Sequence, residues 1–492
     1  MTGTFAWLCA AVTIRQGLLL ASQSPLLWGV AVVGVIAGTA AWGVALRASH
    51  SWIEARQSRW TEFLHHTREI PTATGHRAGG GLILFGVLLF AVNTYWVLQH
   101  QDTPFDDDQI AFLTNAREIH DHGGWAGLWR DLWSGRFEES NRHPLLPALL
   151  SLKPTLTFGR GVTCVLAVIG MGVVLPLVWR KMGPLTAGVL AVLLSTNGAW
   201  LYHAPRVVCE SLLTGLAGLA WLAMFAPRKD SPALNVLPST LNAPRSTLVG
   251  VLLGLAYLTK GTGLLLFVGT GLAYGVVVLW SPGERRRGIT STVALVLAFL
   301  ITASPLLTRN QIRFGSATYN VNSYLLWTDA YESPNAMAER MTLDEAKAAY
   351  LASHSATELI QREATGLAWE TFIGLRTLGP APWDDARVLF GLPLFALGLL
   401  GLCHTPRLPA LVLLFWTGIV WVMMAWYVPI AAGDRFVMPL LIPWLTLAAN
   451  GLVRVVSMAS ERSVSRRLVI AAILWGLVTT VLVWFRSDLW AC

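Results

Sequence analysis

Asp106, Asp107 and Asp108 stand side by side in a chain of 492 residues that carries only 13% charged residues. Adjacent carboxylates repel one another, so their company suggests work as a general base or as metal ligands. A helical pattern follows directly, with Ile110, Phe112, Leu113 and Ala116 on one face. An aspartate at a helix start accepts a backbone N–H and complements the helix dipole, so capping competes with chemistry as the reading of the cluster. The two roles are compatible.

Six other positions could act with the cluster. Asn141-Arg142-His143-Pro144 opens a short apolar stretch, Leu145 to Leu152, too brief and too Pro-rich for a membrane span. Arg142 could pair with the acidic cluster or bind a phosphate. His143 could be a ligand or an acid–base group, although a lone histidine is more often structural. Arg206 and Glu210 have i, i+4 spacing, which suits an intrahelical ion pair as well as a substrate contact. Lys260 lies between two apolar half-runs. It could snorkel to the interface, but a lysine at a hairpin tip has few protein partners and suits a phosphate. Arg435 could pair with Asp434 beside it or face a substrate anion.

The elements that must position these residues are membrane helices. Apolar residues make up 54% of the chain, and a soluble chain would carry about a quarter charged residues. The runs Leu26 to Leu46, Gly81 to Leu98, Gly161 to Trp179, Pro184 to Tyr202, Val207 to Ala226 and Ile289 to Leu307 approach the roughly 20 residues that a span needs. Lipid cannot satisfy bare backbone groups, and the alternation of a membrane barrel is missing, so the runs predict helices. About twelve spans are expected; Phe5 to Ala21, interrupted by Arg15-Gln16, would be a thirteenth. No Lys or Arg precedes Arg15, unlike an ordinary cleaved signal peptide.

Orientation follows from the basic residues. Arg47 to Arg77, Arg180-Lys181, Arg228 to Arg245, Arg285 to Arg287 and Arg454 to Arg467 sit in segments that the positive-inside rule places in the cytoplasm. The net charge of +8 is therefore a topology signal, and nucleic acid is not expected as a partner. Segments 99–160 and 308–386 then lie outside. Thr247 to Trp280 is flanked by Arg245 and Arg285, which predicts a hairpin with its tip at Lys260-Gly261. Parity places Asp108, Arg206, Lys260 and Arg435 on one membrane face.

The expected organisation is an N-terminal span with a basic segment (1–79), a transmembrane core (80–307) carrying the first outer loop (99–160), a second outer loop or cap (308–386) and C-terminal helices (387–492). Trp125, Trp129 and Trp133 recur at i, i+4 and predict an interfacial helix anchored in membrane lipid. A helical stretch is expected over roughly Leu343 to Leu375. Cys9, Cys164, Cys209, Cys403 and Cys492 form no CxxC pair, which argues against a disulfide framework or a zinc site.

In this order the motifs resemble the GT-C glycosyltransferases, especially the protein-mannosyltransferase-like branch that includes the bacterial aminoarabinose transferase. Asp108-Gln109-Ile110 through Arg117-Glu118 is similar to that group's first-loop segment. Gln109 departs from its usual acidic pair, and a shifted register would make Asp107-Asp108 that pair. His143-Pro144-Leu145, Arg160, Arg206 with Glu210, and Arg435-Phe436 before Pro439 and Pro443 match in turn. Leu253-Gly254-Leu255-Ala256-Tyr257-Leu258-Thr259-Lys260-Gly261 is the most specific match. The resemblance covers roughly Gly80 to Asn310 and the Arg435 region.

The resemblance implies an all-α polytopic GT-C fold with about 12–13 spans and two larger extracytoplasmic loops. It implies transfer of a sugar from a polyprenyl-phosphate donor to an acceptor hydroxyl on a glycan, lipid or protein, with inversion, in a bacterial inner membrane. Asp108 would be the base, with Asp107 as the alternative and Asp106 as cap or support. Lys260, Arg435, Arg142 and Arg206 would hold the lipid phosphate, and His143 and Glu210 would support them. Some relatives use a divalent metal on first-loop carboxylates and others use none, so the cofactor stays open. A transporter or flippase for a lipid-linked glycan, or a non-catalytic binder of one, is the competing reading. A transporter tends to show inverted repeats and polar breaks at mid-membrane, whereas these charges gather at one face.

Overall fold

The computed structural model describes residues 72–102, 108–225, 242–280, 285–381, 384–459 and 464–485. The expected spans Phe5 to Ala21 and Leu26 to Leu46, and the acidic residues Asp106 and Asp107, lie outside the described residues. In chain order the helices are α1 (Thr72–Gln99), α2 (Asp108–Asp121), α3 (Gly124–Ser134), α4 (Leu145–Leu150), α5 (Leu156–Met182), α6 (Pro184–Thr196) and α7 (Gly198–His203). Next come α8 (Glu210–Ala223), α9 (Ala243–Thr259), α10 (Thr262–Trp280), α11 (Arg285–Phe314), α12 (Pro334–Arg340), α13 (Leu343–Ser353) and α14 (Ala356–Leu378). The last are α15 (Val388–Cys403), α16 (Arg407–Tyr427), α17 (Asp434–Val437), α18 (Leu441–Ala459) and α19 (Val464–Phe485). Among the described residues no strand forms beyond one isolated bridge, Asn197 to Pro380.

Among the described residues, eight helical segments are long and apolar enough to cross a membrane, and α6, α8 and α9 are shorter apolar helices. The chain is a multi-pass membrane protein. Its outward surface is apolar: Leu84 and Leu88 on α1, Val165 and Ile169 on α5, and Leu474 and Val478 on α19 are all exposed. Such a face is stable only against lipid. The Asp434–Ser457 segment is 83% buried over its most apolar stretch, against 28% for Leu468–Phe485. With α6 and α8 it forms the interior that the lipid-facing helices surround.

Without a hydrophobic drive between helices in lipid, close backbone approach and buried polar contacts do the packing. A Cβ at Gly86 of α1 would lie 2.7 Å from the Ala191 backbone of α6, and one at Gly250 of α9 would lie 2.4 Å from the Leu295 carbonyl oxygen of α11. The Asn93 amide donates to the Ser195 carbonyl and to Thr480, both at 3.1 Å, tying α1, α6 and α19.

Two expected elements are divided. The run Pro184 to Tyr202 breaks at Asn197, which is extended and caps α7 by accepting the Trp200 N–H at 2.9 Å. The stretch Leu343 to Leu375 is two helices, because Ser355 and Glu358 form a capping box that starts α14. Ahead of them, Val321, Tyr324, Met337 and Ala346 form a small core of their own in the second loop.

Helix ends sort the charges. At one end Lys181 donates to the Phe225 carbonyl at 2.5 Å, and His76 meets Trp179 with ring centroids 5.3 Å apart. At the other end lie the starts of α2, α8 and α17 and the α9–α10 turn. Residues 259 and 262 bound that turn, where the flanking arginines place the hairpin tip.

Candidate functional site

Helix α2 is amphipathic and too short to span. Phe112, Leu113 and Ala116 pack against Leu146 and Leu150 of α4 and against Val207 and Cys209. Buried Gln109 accepts the Val207 N–H at 3.1 Å, which pins the start of α2 to the turn before α8. The position that breaks the acidic pair is therefore an anchor, and Asp108, at the first residue of α2, is left facing Arg435 and Arg142.

Asp108 is gripped from two sides. Its Oδ2 receives Arg435 Nη1 at 2.6 Å and its Oδ1 receives Arg142 Nη2 at 3.2 Å. The carboxylate stays about a third exposed. Burial alone would raise its pKa, but Arg435 and then Arg142 outweigh burial and hold it below the usual aspartate range.

Glu210 opens α8 and is 1% exposed. Its Oε1 accepts Lys260 Nζ at 2.9 Å and Arg435 Nε at 3.1 Å. Lys260 is the extended residue that ends α9, and its ammonium lies 5.3 Å over the Phe436 ring, which Arg435 also approaches at 5.6 Å. Arg142, Asp108, Arg435, Glu210 and Lys260 thus form one connected network, drawn from the α3–α4 connection, α2, α17, α8 and the α9–α10 turn.

Three sequence expectations change in this light. The Arg206–Glu210 spacing is not an intrahelical pair, because the helix begins only at Glu210; the Arg206 guanidinium lies 4.0 Å over Tyr202. Asp434 does not pair with Arg435 but with Arg376, Thr377 and Arg387. Lys260 does have a protein partner, Glu210, which any phosphate would have to share.

His143 packs beneath the lysine turn. It is buried, contacts the Tyr257 carbonyl through Nδ1 and meets the Tyr257 ring edge-on at 5.0 Å. Burial pushes its pKa down to about 4, against the opposing effect of the Tyr257 carbonyl, so it is neutral at physiological pH. A Cβ on Gly261 would lie 3.7 Å from His143 Nε2 and 3.2 Å from the Asn320 amide nitrogen, so the lysine turn sits close to both of those segments. Gly254, from the same motif, admits Thr302 of α11 where a Cβ would lie 2.6 Å away.

The Trp helix is α3. Trp125, Trp129 and Trp133 are all exposed, and the Trp125 indole donates to the Ala148 carbonyl at 2.6 Å. Arg160 donates to the Asp102 carbonyl at 2.6 Å.

Three side chains near the network were given no role by motif reading. Glu139 accepts the Asn115 amide at 2.5 Å and the backbone N–H of Asn141 at 2.7 Å and of Arg142 at 3.1 Å, and so shapes the loop that carries Arg142. Arg309 is buried at the end of α11 between the Phe137 and Phe314 rings, 5.3 Å from each, and its Nε and Nη1 have no hydrogen-bond partner among the described residues. An arginine just past the end of the apolar run Ile289 to Leu307 was the available signal, since charges near a membrane core are costly. Phe436 is the third, with both Lys260 and Arg435 at its ring.

A metal would need several convergent ligands. Among the described residues no group of three His, Cys, Asp or Glu side chains can hold one, and both oxygens of Asp108 are engaged by arginines. The described donors do not make a metal site.

No protein-family model matches the chain, and no curated protein matches it by sequence. Solved structures do. The chain is similar to ArnT from Cupriavidus metallidurans bound to undecaprenyl phosphate, with a TM-score of 0.51 and 15% identity over 83% of this chain and 77% of that one. ArnT in the apo state matches with a TM-score of 0.50 and 14% identity, over 82% of this chain and 76% of that one. A looser match, with a TM-score of 0.39, is the archaeal oligosaccharyltransferase AglB from Archaeoglobus fulgidus, at 13% identity over 82% of this chain and 55% of that one. The helical architecture and the likeness to ArnT together give the fold: the chain has the GT-C fold.

Proposed function

We propose that this chain is a membrane glycosyltransferase that moves a sugar from a polyprenyl-phosphate donor to an acceptor hydroxyl. The observation that carries the reading is the network at one end of the helices. One partly exposed carboxylate, Asp108, lies within hydrogen-bond reach of two arginines, and a lysine joins the second of them through Glu210. A carboxylate beside clustered cations suits a reaction that takes up a proton at one atom and releases an anion at the next. The undecaprenyl phosphate in ArnT supports a lipid phosphate as that anion.

In this reading the acceptor hydroxyl gives its proton to Asp108 as its oxygen bonds to the anomeric carbon. The bond from that carbon to the phosphate oxygen breaks, with inversion, and the lipid phosphate leaves with one more negative charge. Arg435, Lys260 and Arg142 stabilise that charge as it develops. The grip on Asp108 fits such an exchange. While the arginines hold it, the carboxylate is a weak base. An arriving phosphate competes for Arg435 and Arg142, which raises the Asp108 pKa and makes it a stronger base when the acceptor is present.

Asp108 is the base in this assignment. Asp107 and Asp106 lie outside the described residues, and no step uses them or a metal. The site face corresponds to the outside by the positive-inside rule, which places the transfer on the extracytoplasmic side of a cell membrane. Confinement of the network to one end of the helices favours an enzyme over a transporter, whose ionisable residues line a path through mid-membrane.

Asp108→Asn tests the assignment in the purified full chain supplied with polyprenyl-phosphate sugars. Loss of a general base lowers turnover by about 10²–10⁴-fold, in a variant that still folds and binds donor. Near-normal transfer in this variant would remove Asp108 from the base role.

A further inference from the structure

Arg435 touches both Asp108 and Glu210, yet its own element is slight. Helix α17 spans Asp434–Val437, a single turn with no stability of its own. What fixes Arg435 must come from elsewhere, and the residue before it supplies the answer.

The Asp434 side chain is 13% exposed and is held at three points. Oδ1 accepts Arg376 Nε at 3.1 Å and the Thr377 hydroxyl at 2.9 Å, and Oδ2 accepts Arg387 Nη2 at 2.8 Å. Arg376 is braced by Asp385 at 2.8 Å. The anchors are themselves fixed. Asn197 Nδ2 donates to the Thr377 carbonyl at 2.8 Å and to the Gly379 carbonyl at 3.1 Å. The Ala381 N–H donates to the Thr196 carbonyl at 2.8 Å, and the Gly198 N–H to the Gly379 carbonyl at 3.2 Å. Gly198 walls the Arg387 guanidinium so closely that a Cβ there would lie 2.7 Å from Nη1. The break between α6 and α7 and the end of α14 thus make a rigid seat for one carboxylate.

We propose that Asp434 is a positioning residue: seated by Arg376, Thr377 and Arg387, it sets the place from which Arg435 reaches Asp108 and Glu210. The end of the second outer segment thereby governs a cation of the first-loop site. A buried carboxylate with three donors confines the chain far more tightly than a one-turn helix can. Loss of the Asp434 charge leaves Arg376 and Arg387 facing each other with one less anion between them, and the turn shifts to relieve that.

The consequence for lipid phosphate rests on the function proposed above; the positioning role does not, and the test separates them. Asp434→Asn, Arg435→Ala and the double variant are compared in the full-length protein in detergent. The first readout needs no ligand: the pH profile for modification of Asp108 by a water-soluble carbodiimide, which attacks protonated carboxyls, followed by mass spectrometry. Arg435→Ala shifts the profile to higher pH by about one unit, as loss of a neighbouring cation does. Asp434→Asn shifts it the same way, and the double variant goes no further than Arg435→Ala, because the effect acts through Arg435. A wild-type profile in Asp434→Asn, or a shift that adds to that of Arg435→Ala, overturns the proposal. Thr377→Val removes one anchor and no charge, and carries the same test if Asp434→Asn does not fold: a smaller upward shift supports the role and a wild-type profile refutes it. The second readout is binding of undecaprenyl phosphate, weakened about tenfold by Asp434→Asn but not further in the double variant. Wild-type protein that does not bind undecaprenyl phosphate refutes the functional reading and leaves the carbodiimide result to decide the positioning role.

Discussion

Replacing Glu210 by Gln should loosen the protein and tighten its hold on a lipid phosphate. Glu210 is fully enclosed, and its Oε1 lies 2.9 Å from Lys260 Nζ and 3.1 Å from Arg435 Nε. At about 3 Å and an effective dielectric near 20, each contact amounts to roughly 5 kcal/mol of Coulomb attraction, most of it offset by the cost of desolvating the ions. Removing one partner of a buried pair typically costs about 3–5 kcal/mol, because the other charge is stranded. Here the strain is smaller. Lys260 and Arg435 keep 21% and 36% of their side-chain surface exposed, and Arg435 keeps Asp108 at 2.6 Å. With that discount for solvent, a loss of about 2 kcal/mol is expected. The same change frees two cations from a competing anion. A gain of about 1.4 kcal/mol in phosphate binding would be tenfold in affinity. The assay pairs thermal unfolding in detergent with titration of undecaprenyl phosphate, for wild type and Glu210→Gln. Weaker phosphate binding in the variant would refute the reasoning, since Glu210 would then organise the cations for phosphate instead of competing with it.

Lys260→Ala should weaken undecaprenyl phosphate binding by about tenfold, one charged contact's worth; unchanged affinity removes Lys260 from the site. Asp108 is more acidic in the folded chain than its ordinary value of 3.8. Its ionised grip therefore stabilises the fold above that value and is lost as pH falls through the lower folded pKa. The stability gap between wild type and Asp108→Asn should stay constant down to about pH 4 and close below it; a gap that ignores pH contradicts the arginine clamp. Chelator titration of purified enzyme should leave transfer unchanged, since Asp108 is committed to arginines; loss of activity restored by a divalent cation would bring a metal, and with it Asp106 or Asp107, into the site.

Motif reading found most of the network because its members are costly. A charge at the end of an apolar run stands out in a chain that is only 13% charged, and the parity of basic loops puts Asp108, Lys260 and Arg435 on one face before any contact is known. Glu139 and Asp434 were harder to see. Glu139 lies in polar loop sequence, where a carboxylate carries no surprise, and Asp434 was read only as a neighbour for Arg435; their distant partners Asn115 and Arg387 lie 24 and 47 residues away. Arg309 was legible in principle, as a charge within an apolar helix, but its position came only with the rings around it.

Composition and charge parity by themselves determined the membrane class, the helical elements, the hairpin at Lys260 and the shared end of Asp108, Lys260 and Arg435, because lipid leaves the backbone few options and the positive-inside rule orders the rest. Tertiary structure alone decided the pairings. Local spacing suggested Arg206 with Glu210 and Asp434 with Arg435. The folded chain instead joins Glu210 to Lys260 and Arg435, and Asp434 to Arg376 and Arg387. An ion pair is chosen by distance in space, and in a bundle of helices the nearest opposite charge at a helix end usually belongs to another helix.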